Sequence, residues 1–297
     1  MIKESTGKIC EGIYALGNPD LPAFLFRGEI PVLFDAGMTF MGPIYLQEMK
    51  TYLGDAGKLR YLLLTHSHFD HCGGAPFLKR KIPGLKIGTS RLAAEVFQRP
   101  NAVQLIQSLN QYVEDQFNSP NRGEDVSFHS LEVDLVLEDR RELILGDERR
   151  VQVIATPGHT RDAVSFYIPE WKALIPGEVA GVYDRNLNIL PEFLSSFEGY
   201  MASLEKLSAL DLDLLLLGHS FVVTGEDARG YIGKSIEATK RFKKRIEDLL
   251  DMRAGDQEAV VKIIFQEDYE GQQAIPQDER SYLINLKAKV KAVAERK

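Results

Sequence analysis

Seven side chains in this chain of 297 residues have the types and spacings that hold metal ions. Four lie in one run, Thr65-His66-Ser67-His68-Phe69-Asp70-His71. His66 and His68, two apart, point the same way in an extended backbone, and Asp70 and His71 follow as the chain turns toward Gly73-Gly74. Imidazoles and a carboxylate gathered in a protein interior are unfavourable without a cation, because each polar group needs a partner once it leaves water. The run therefore supplies two groups of ligands, enough for two adjacent metals. Further ligands must come from distant sequence, and His159, Glu178 and His219 are the candidates.

The elements that must position them are short apolar runs. Arg60-Tyr61-Leu62-Leu63-Leu64 has no helical periodicity and reads as a buried strand ending at the first ligand group. His159 follows Val151-Gln152-Val153-Ile154-Ala155 in the turn Thr156-Pro157-Gly158-His159-Thr160. Glu178 follows Ala173-Leu174-Ile175 in Pro176-Gly177-Glu178, and His219 follows Leu214-Leu215-Leu216-Leu217 in Gly218-His219-Ser220. Strand, glycine turn and ligand thus recur four times.

HSHFDH followed in order by TPGHT, PGE and LGHS resembles the metallo-β-lactamase superfamily. The resemblance implies an α/β fold, the four-layer αβ/βα sandwich with metals at one edge of two sheets. It also implies that His66, His68 and His159 bind a first metal, that Asp70, His71 and His219 bind a second, and that Glu178 bridges them. The bridging residue in that family is usually aspartate, so Glu178 departs from the pattern by one methylene. The stretches THSHFDHCGGAPFLKRKIPGLKI and NAVQLIQSLNQYVEDQ, with a polar helical tail, resemble thioesterases of the quinolone-signal response type. Those enzymes hydrolyse aminobenzoylacetyl-coenzyme A, and the type also acts as partner of a quorum-sensing transcription regulator.

The expected cofactors are two divalent ions, and imidazole with carboxylate ligands and no thiolate suits Zn, Fe or Mn. Two such cations lower the pKa of a bridging water, giving a hydroxide that cleaves a thioester or ester of acyl-coenzyme A type. Asp70 is the expected catalytic residue, orienting the attacking water or carrying its proton. The substrate-binding residues are unknown from sequence. Two other functions share the fold: redox chemistry at non-haem iron, as in persulfide dioxygenases, and regulation through partner binding. Flavodiiron relatives usually carry glutamate at the position of His68, which counts against them here.

The resemblance also gives Asp35, at the end of Val32-Leu33-Phe34, a place behind the ligands where it hydrogen-bonds a ligating histidine, with turn capping as the alternative. Thr160 and Ser220 have the same two readings. His129, in a polar stretch, reads as a surface or loop residue, and Cys72 as a small packed one.

At 44% hydrophobic and 27% charged residues the chain suits one large catalytic domain with an appendage. The net charge of −7 argues against a nucleic-acid partner. No apolar stretch approaches the roughly 20 residues that span a membrane, and Met1–Gly7 has no signal-like apolar core. Two cysteines make no disulfide framework, so a reduced, cytoplasmic setting is expected, with a small-molecule substrate and a possible homodimer. Strands and hairpins are expected over 8–35 and 131–168, with helices near 42–54, 74–81, 90–98, 101–117 and 195–210. Residues 1–224 are the expected metallo-β-lactamase-like domain. Residues 225–297 read as three helices, near 226–252, 256–267 and 279–295, which the resemblance sets over the active-site entrance. The basic run Lys240-Arg241-Phe242-Lys243-Lys244-Arg245 has two readings, a coenzyme A phosphate or partner site and a solvated helix face.

Overall fold

The computed structural model describes residues 1–117, 123–146 and 148–295. Two seven-stranded mixed sheets lie face to face. Strand β1 (Ile2–Glu4) belongs to the second sheet, and the chain then builds the first with β2 (Gly7–Cys10), β3 (Ile13–Leu16), β4 (Ala23–Phe26) and β5 (Val32–Phe34). Helix α1 (Gly42–Leu53) precedes β6 (Tyr61–Leu63), which is followed by α2 (Phe69–Cys72), α3 (Ala75–Lys81) and β7 (Lys86–Ser90). Helices α4 (Arg91–Val96) and α5 (Pro100–Phe117) lead to β8 (Leu135–Leu137), completing the order β2-β3-β4-β5-β6-β7-β8. From β5 to β8 the neighbours pair in parallel.

The second sheet adds β9 (Glu142–Gly146), β10 (Arg149–Ala155), β11 (Val164–Ile168) and β12 (Ala173–Ile175). A small hairpin of β13 (Val182–Tyr183) and β14 (Ile189–Leu190) and helix α6 (Phe197–Ser208) come next, before β15 (Leu214–Leu216) and β16 (Phe221–Thr224). The order is β1-β16-β15-β12-β11-β10-β9. Because β11 is antiparallel to both β10 and β12, and β15 is parallel to β12, strands β10, β12 and β15 run the same way. Their carboxyl ends, and the residues after them, share one edge.

The apolar runs are continuous rather than alternating because these strands are covered on both faces. Leu33 and Leu62 face the outer core beneath α1 and α3, whereas Val32, Phe34 and Leu63 face the core between the sheets. In β15, Leu214 and Leu216 enter the inter-sheet core and Leu215 the outer one. Each such side chain, withdrawn from water, contributes about 1.5–3 kcal/mol. Helices outside both sheets complete four layers, as the sequence leads one to expect.

After β16 come α7 (Glu226–Met252), α8 (Gln257–Ile264), a π-helical segment at Phe265–Glu270, and α9 (Glu279–Ala294). Helix α7 buries Ala228, Tyr231, Ile232, Ser235, Ala238, Thr239, Ile246 and Leu250, a helical stripe turned toward the second sheet's outer core. Asp256 and Asp278 cap α8 and α9, accepting hydrogen bonds from the Ala259 and Ser281 amides. No helix among the described residues is long and apolar enough to cross a membrane.

Some details differ from expectation. Strands β1, β7 and β16 and the β13–β14 hairpin lie outside the strand pattern read above; β7 contains Gly88 and Thr89 and is a strand because β6 and β8 flank it. The second C-terminal helix ends at Ile264 and continues in the wider π-helical segment. Gly73 and Gly74 have ordinary negative φ and belong to helical turns. They are glycines because the chain passes against the 36–39 backbone: a Cβ would lie 2.6 Å from Thr39 N at Gly73 and 2.5 Å from Ala36 O at Gly74.

Candidate metal centre

The residues after β6, β10, β12 and β15 converge at the shared edge. His66 and His68 stand in the extended segment after β6, while Asp70 and His71 lie within the helical turn α2. His159 follows β10, Glu178 follows β12 and His219 follows β15. Two ligand groups form, His66, His68, His159 and Glu178 in one and Asp70, His71, Glu178 and His219 in the other, with ligand atoms in each within 4.8 Å of one another. These are the seven residues expected from sequence, in the expected division.

Glu178 Oε1 is the hub. The Nε2 atoms of His71 and His159 lie 3.2 Å from it, and those of His66 and His219 lie 3.5 Å from it. Asp70 Oδ2 lies 3.9 Å from His71 Nε2 and 3.8 Å from His219 Nε2, and His68 Nδ1 lies 3.1 Å from His159 Nε2. The added methylene of glutamate therefore leaves one carboxylate oxygen facing both groups. One oxygen cannot satisfy four ring nitrogens, and the buried Nε2 atoms of His66 and His71 have no hydrogen-bond partner among the described residues. Orphaned nitrogens facing one another around carboxylates are what a divalent cation needs, so the donor set fits a metal pair.

The opposite ring nitrogens of His66, His71, His159 and His219 are engaged. His71 Nδ1–H donates to Asp35 Oδ2 at 3.0 Å. His66 Nδ1–H donates to Thr65 Oγ1 at 2.9 Å, and that hydroxyl donates to Asp35 Oδ2 at 2.9 Å. Asp35 also accepts from the Thr65 amide at 2.8 Å, so one buried carboxylate aims two imidazoles. His159 Nδ1–H donates to the Glu192 carbonyl at 2.7 Å and His219 Nδ1–H to the Asp20 carbonyl at 2.9 Å. Each of these four bonds fixes the tautomer whose Nε2 lone pair points inward.

Gly158, one residue before His159, has φ 139°, and a Cβ there would lie 2.2 Å from Tyr200 N. Only glycine lets the ligand turn pass so close to α6.

Charges follow the same plan. Burial pushes the His66 imidazole well down, helped by His71, and burial with His159 brings His68 to about 4. Burial alone lowers His71, His159 and His219, but facing carboxylates outweigh it and raise all three: Asp70 and Asp35 for His71, Glu178 for the other two. Burial favours the neutral form of Glu178, yet His159 and His219 hold its carboxyl well below the usual range. His71, His159 and His219 are thus held toward the protonated form beside Glu178, and an ion entering there would displace protons.

His68, Asp70 and His219 are partly exposed, the latter two at 17% and 20% of their side chains, whereas those of His66, His71 and His159 are at 1–2%. The cluster therefore opens on the Asp70 side. Cys72 is buried with Sγ 3.7 Å from the Ser67 carbonyl, and His129 is exposed, as expected for both. Ser220 bonds Asp20 Oδ1 at 3.0 Å, and the buried Thr160 hydroxyl has no partner among the described residues. In the basic run, Lys240 pairs with Glu237, Lys243 with Glu247, Lys244 with Asp248, and Arg245 with Glu267 and Asp268. Those pairs favour the solvated helix face.

Four supporting residues escape sequence reasoning. Asp162 Oδ2 accepts from the Ser67 amide at 2.8 Å and steadies the first ligand segment. Tyr200 donates to the Glu178 carbonyl at 3.4 Å, and buried Glu192 pairs with Lys289 of α9 at 2.6 Å. Asp162 carried a faint signal, three residues beyond His159; the others carried none.

Comparison with known proteins agrees with this geometry. The family model described as "Metallo-beta-lactamase superfamily" matches residues 23–219. The "Probable metallo-hydrolase YflN" of Bacillus subtilis is 25% identical over 221 residues, covering 67% of this chain and 78% of its own. The "Acyl-coenzyme A thioesterase MBLAC2" of Bos taurus is 28% identical over 218 residues, covering 68% of this chain and 72% of its own. A metallo-beta-lactamase family protein from Thermus thermophilus shares the fold with TM-score 0.68 at 20% identity, over 97% of this chain and 95% of that one. With the matched residues ending on His219, the last ligand of the cluster, the chain belongs to the metallo-β-lactamase superfamily.

Proposed function

We propose that this chain is a metal-dependent hydrolase of activated acyl compounds, with a thioester of acyl-coenzyme A type as its foremost substrate. The observation that carries the reading is the convergence of four imidazole nitrogens, from three separate segments, on Glu178 Oε1 of a fourth, 3.2–3.5 Å away. The similarity to an acyl-coenzyme A thioesterase supports the substrate class.

His66, His68 and His159 would hold one ion, Asp70, His71 and His219 the other, and Glu178 both. Divalent cations held there would acidify a bound water toward neutrality and polarise an acyl carbonyl. The remaining work belongs to the protein. Asp70, at the open side, orients the attacking water, accepts its proton and delivers it to the leaving group. Asp35 keeps His66 and His71 in the ligating tautomer. In this reading α5 and α9 wall the entrance, supported by the Arg280 guanidinium lying 5.0 Å from the Tyr112 ring centroid.

The test is metal analysis followed by assays with Zn, Fe or Mn on acyl-coenzyme A thioesters, aryl esters, lactones and, with oxygen uptake monitored, glutathione persulfide. Turnover of a thioester, lost on chelation, is expected. Indifference of every ester and thioester to the loaded protein overturns the hydrolase reading, and oxygen uptake replaces it with the redox one.

A further inference from the structure

Glu192 is tied to two members of the ligand cluster through its main chain. Its carbonyl accepts from His159 Nδ1–H at 2.7 Å. Its N–H donates to the Tyr200 hydroxyl oxygen at 3.2 Å, and that hydroxyl donates to the Glu178 carbonyl at 3.4 Å. The Glu192 side chain serves a different partner, accepting from Lys289 Nζ of α9 at 2.6 Å, across 97 residues of sequence. Glu192 and Lys289 are 4% and 3% exposed. Glu192 Oε2 has no hydrogen-bond partner among the described residues, so Lys289 carries the pairing of this carboxylate there.

A buried ammonium and carboxylate persist only while they hold each other, because either alone faces an uncompensated desolvation cost. Aromatic rings keep the surroundings dry: Phe242 lies 5.8 Å from Lys289 Nζ, and Phe193, next to Glu192, packs on Phe197, Tyr200 and Phe242. Residue 192 is thus clamped to α9, and its carbonyl aims a ligand.

We infer that Lys289 is a positioning residue for the metal centre: by anchoring Glu192 it sets the affinity of the His66, His68 and His159 group. The Asp70, His71 and His219 group has its own supports in Asp35 and Asp20 and meets Glu192 only through the shared Glu178, over the longer 3.4 Å bond from Tyr200, so it should respond less. The inference rests on the proposed function only in requiring that the cluster takes metal.

The experiment compares full-length wild type with Lys289→Met, titrating Zn²⁺ against a chromophoric chelator and recording the visible spectrum of the Co²⁺-loaded proteins. Loss of a residue that supports a ligand weakens metal affinity by roughly 10–100-fold, and about tenfold is expected here for one of two ions, with a changed Co²⁺ spectrum. The weakening should persist in a His219→Ala background and vanish in a His68→Ala one. Should Lys289→Met fail to fold, Glu192→Ala/Lys289→Met removes both charges, leaves no unpaired carboxylate, and carries the same expectation. A folded variant that melts earlier yet binds both ions as wild type does would reduce Lys289 to a structural brace and overturn the inference, as would equal weakening of both ions. Wild type that takes no zinc would remove the proposed function and this inference together; two unchanged affinities remove this inference alone.

Discussion

In the first half of the chain His66 and His71 are both aimed by one carboxylate side chain, Asp35, whereas in the second half His159 and His219 each lean on a main-chain carbonyl, of Glu192 and of Asp20. A side-chain support can be deleted by one substitution. A carbonyl cannot, and fails only when the segment carrying it moves. The first half therefore concentrates its sensitivity at position 35, and the second spreads it over whatever pins two loops in place.

Removing what both halves hold should have the largest effect. Dialysis against a chelator is expected to abolish thioester turnover and added zinc to restore it; activity persisting in metal-free protein would make the comparison irrelevant to function. Asp70→Asn comes next. It keeps the size of a group on the open side but loses its basicity, and kcat should fall about 10²–10⁴-fold with the protein still folded. A kcat within a factor of a few of wild type would assign the proton to another group.

Asp35→Asn addresses the contrast itself. His71 loses its charged acceptor and His66 the charge behind its Thr65 hydroxyl at once, so zinc affinity measured by chelator competition should fall roughly 10–100-fold. The counterpart, Asp20→Asn, keeps the carbonyl that receives His219 and an acceptor for Ser220, and affinity should stay within about threefold of wild type. If the two variants weakened zinc equally, the distinction between side-chain and main-chain support would fail.

The same contrast explains what could be read from the sequence. His66, His68, Asp70 and His71 are legible because adjacent residues after one apolar strand must end together, and the recurrence of strand, glycine and ligand leads to His159, Glu178 and His219. Runs such as Leu214–Leu217, too uniformly apolar for a strand exposed on one face, were legible as buried strands, whereas the four layers followed only from the family resemblance. Lys289, Glu192 and Tyr200 were not, because nothing local marks them: a lysine in a polar tail becomes buried only when α9 packs beside α6 and α7. Strand β1 was missed for a similar reason, as Ile2-Lys3-Glu4 pairs with β16 from the far end of the fold.

The unequal exposure of the ligands has a kinetic consequence. With His66, His71 and His159 buried and His68, Asp70 and His219 partly exposed, the cluster meets solvent, among the described residues, on the Asp70 side, where a small molecule and an incoming ion would both arrive. A small molecule lodged there would stand in the path of any ion held behind it, so zinc exchange should slow in step with that molecule's occupancy.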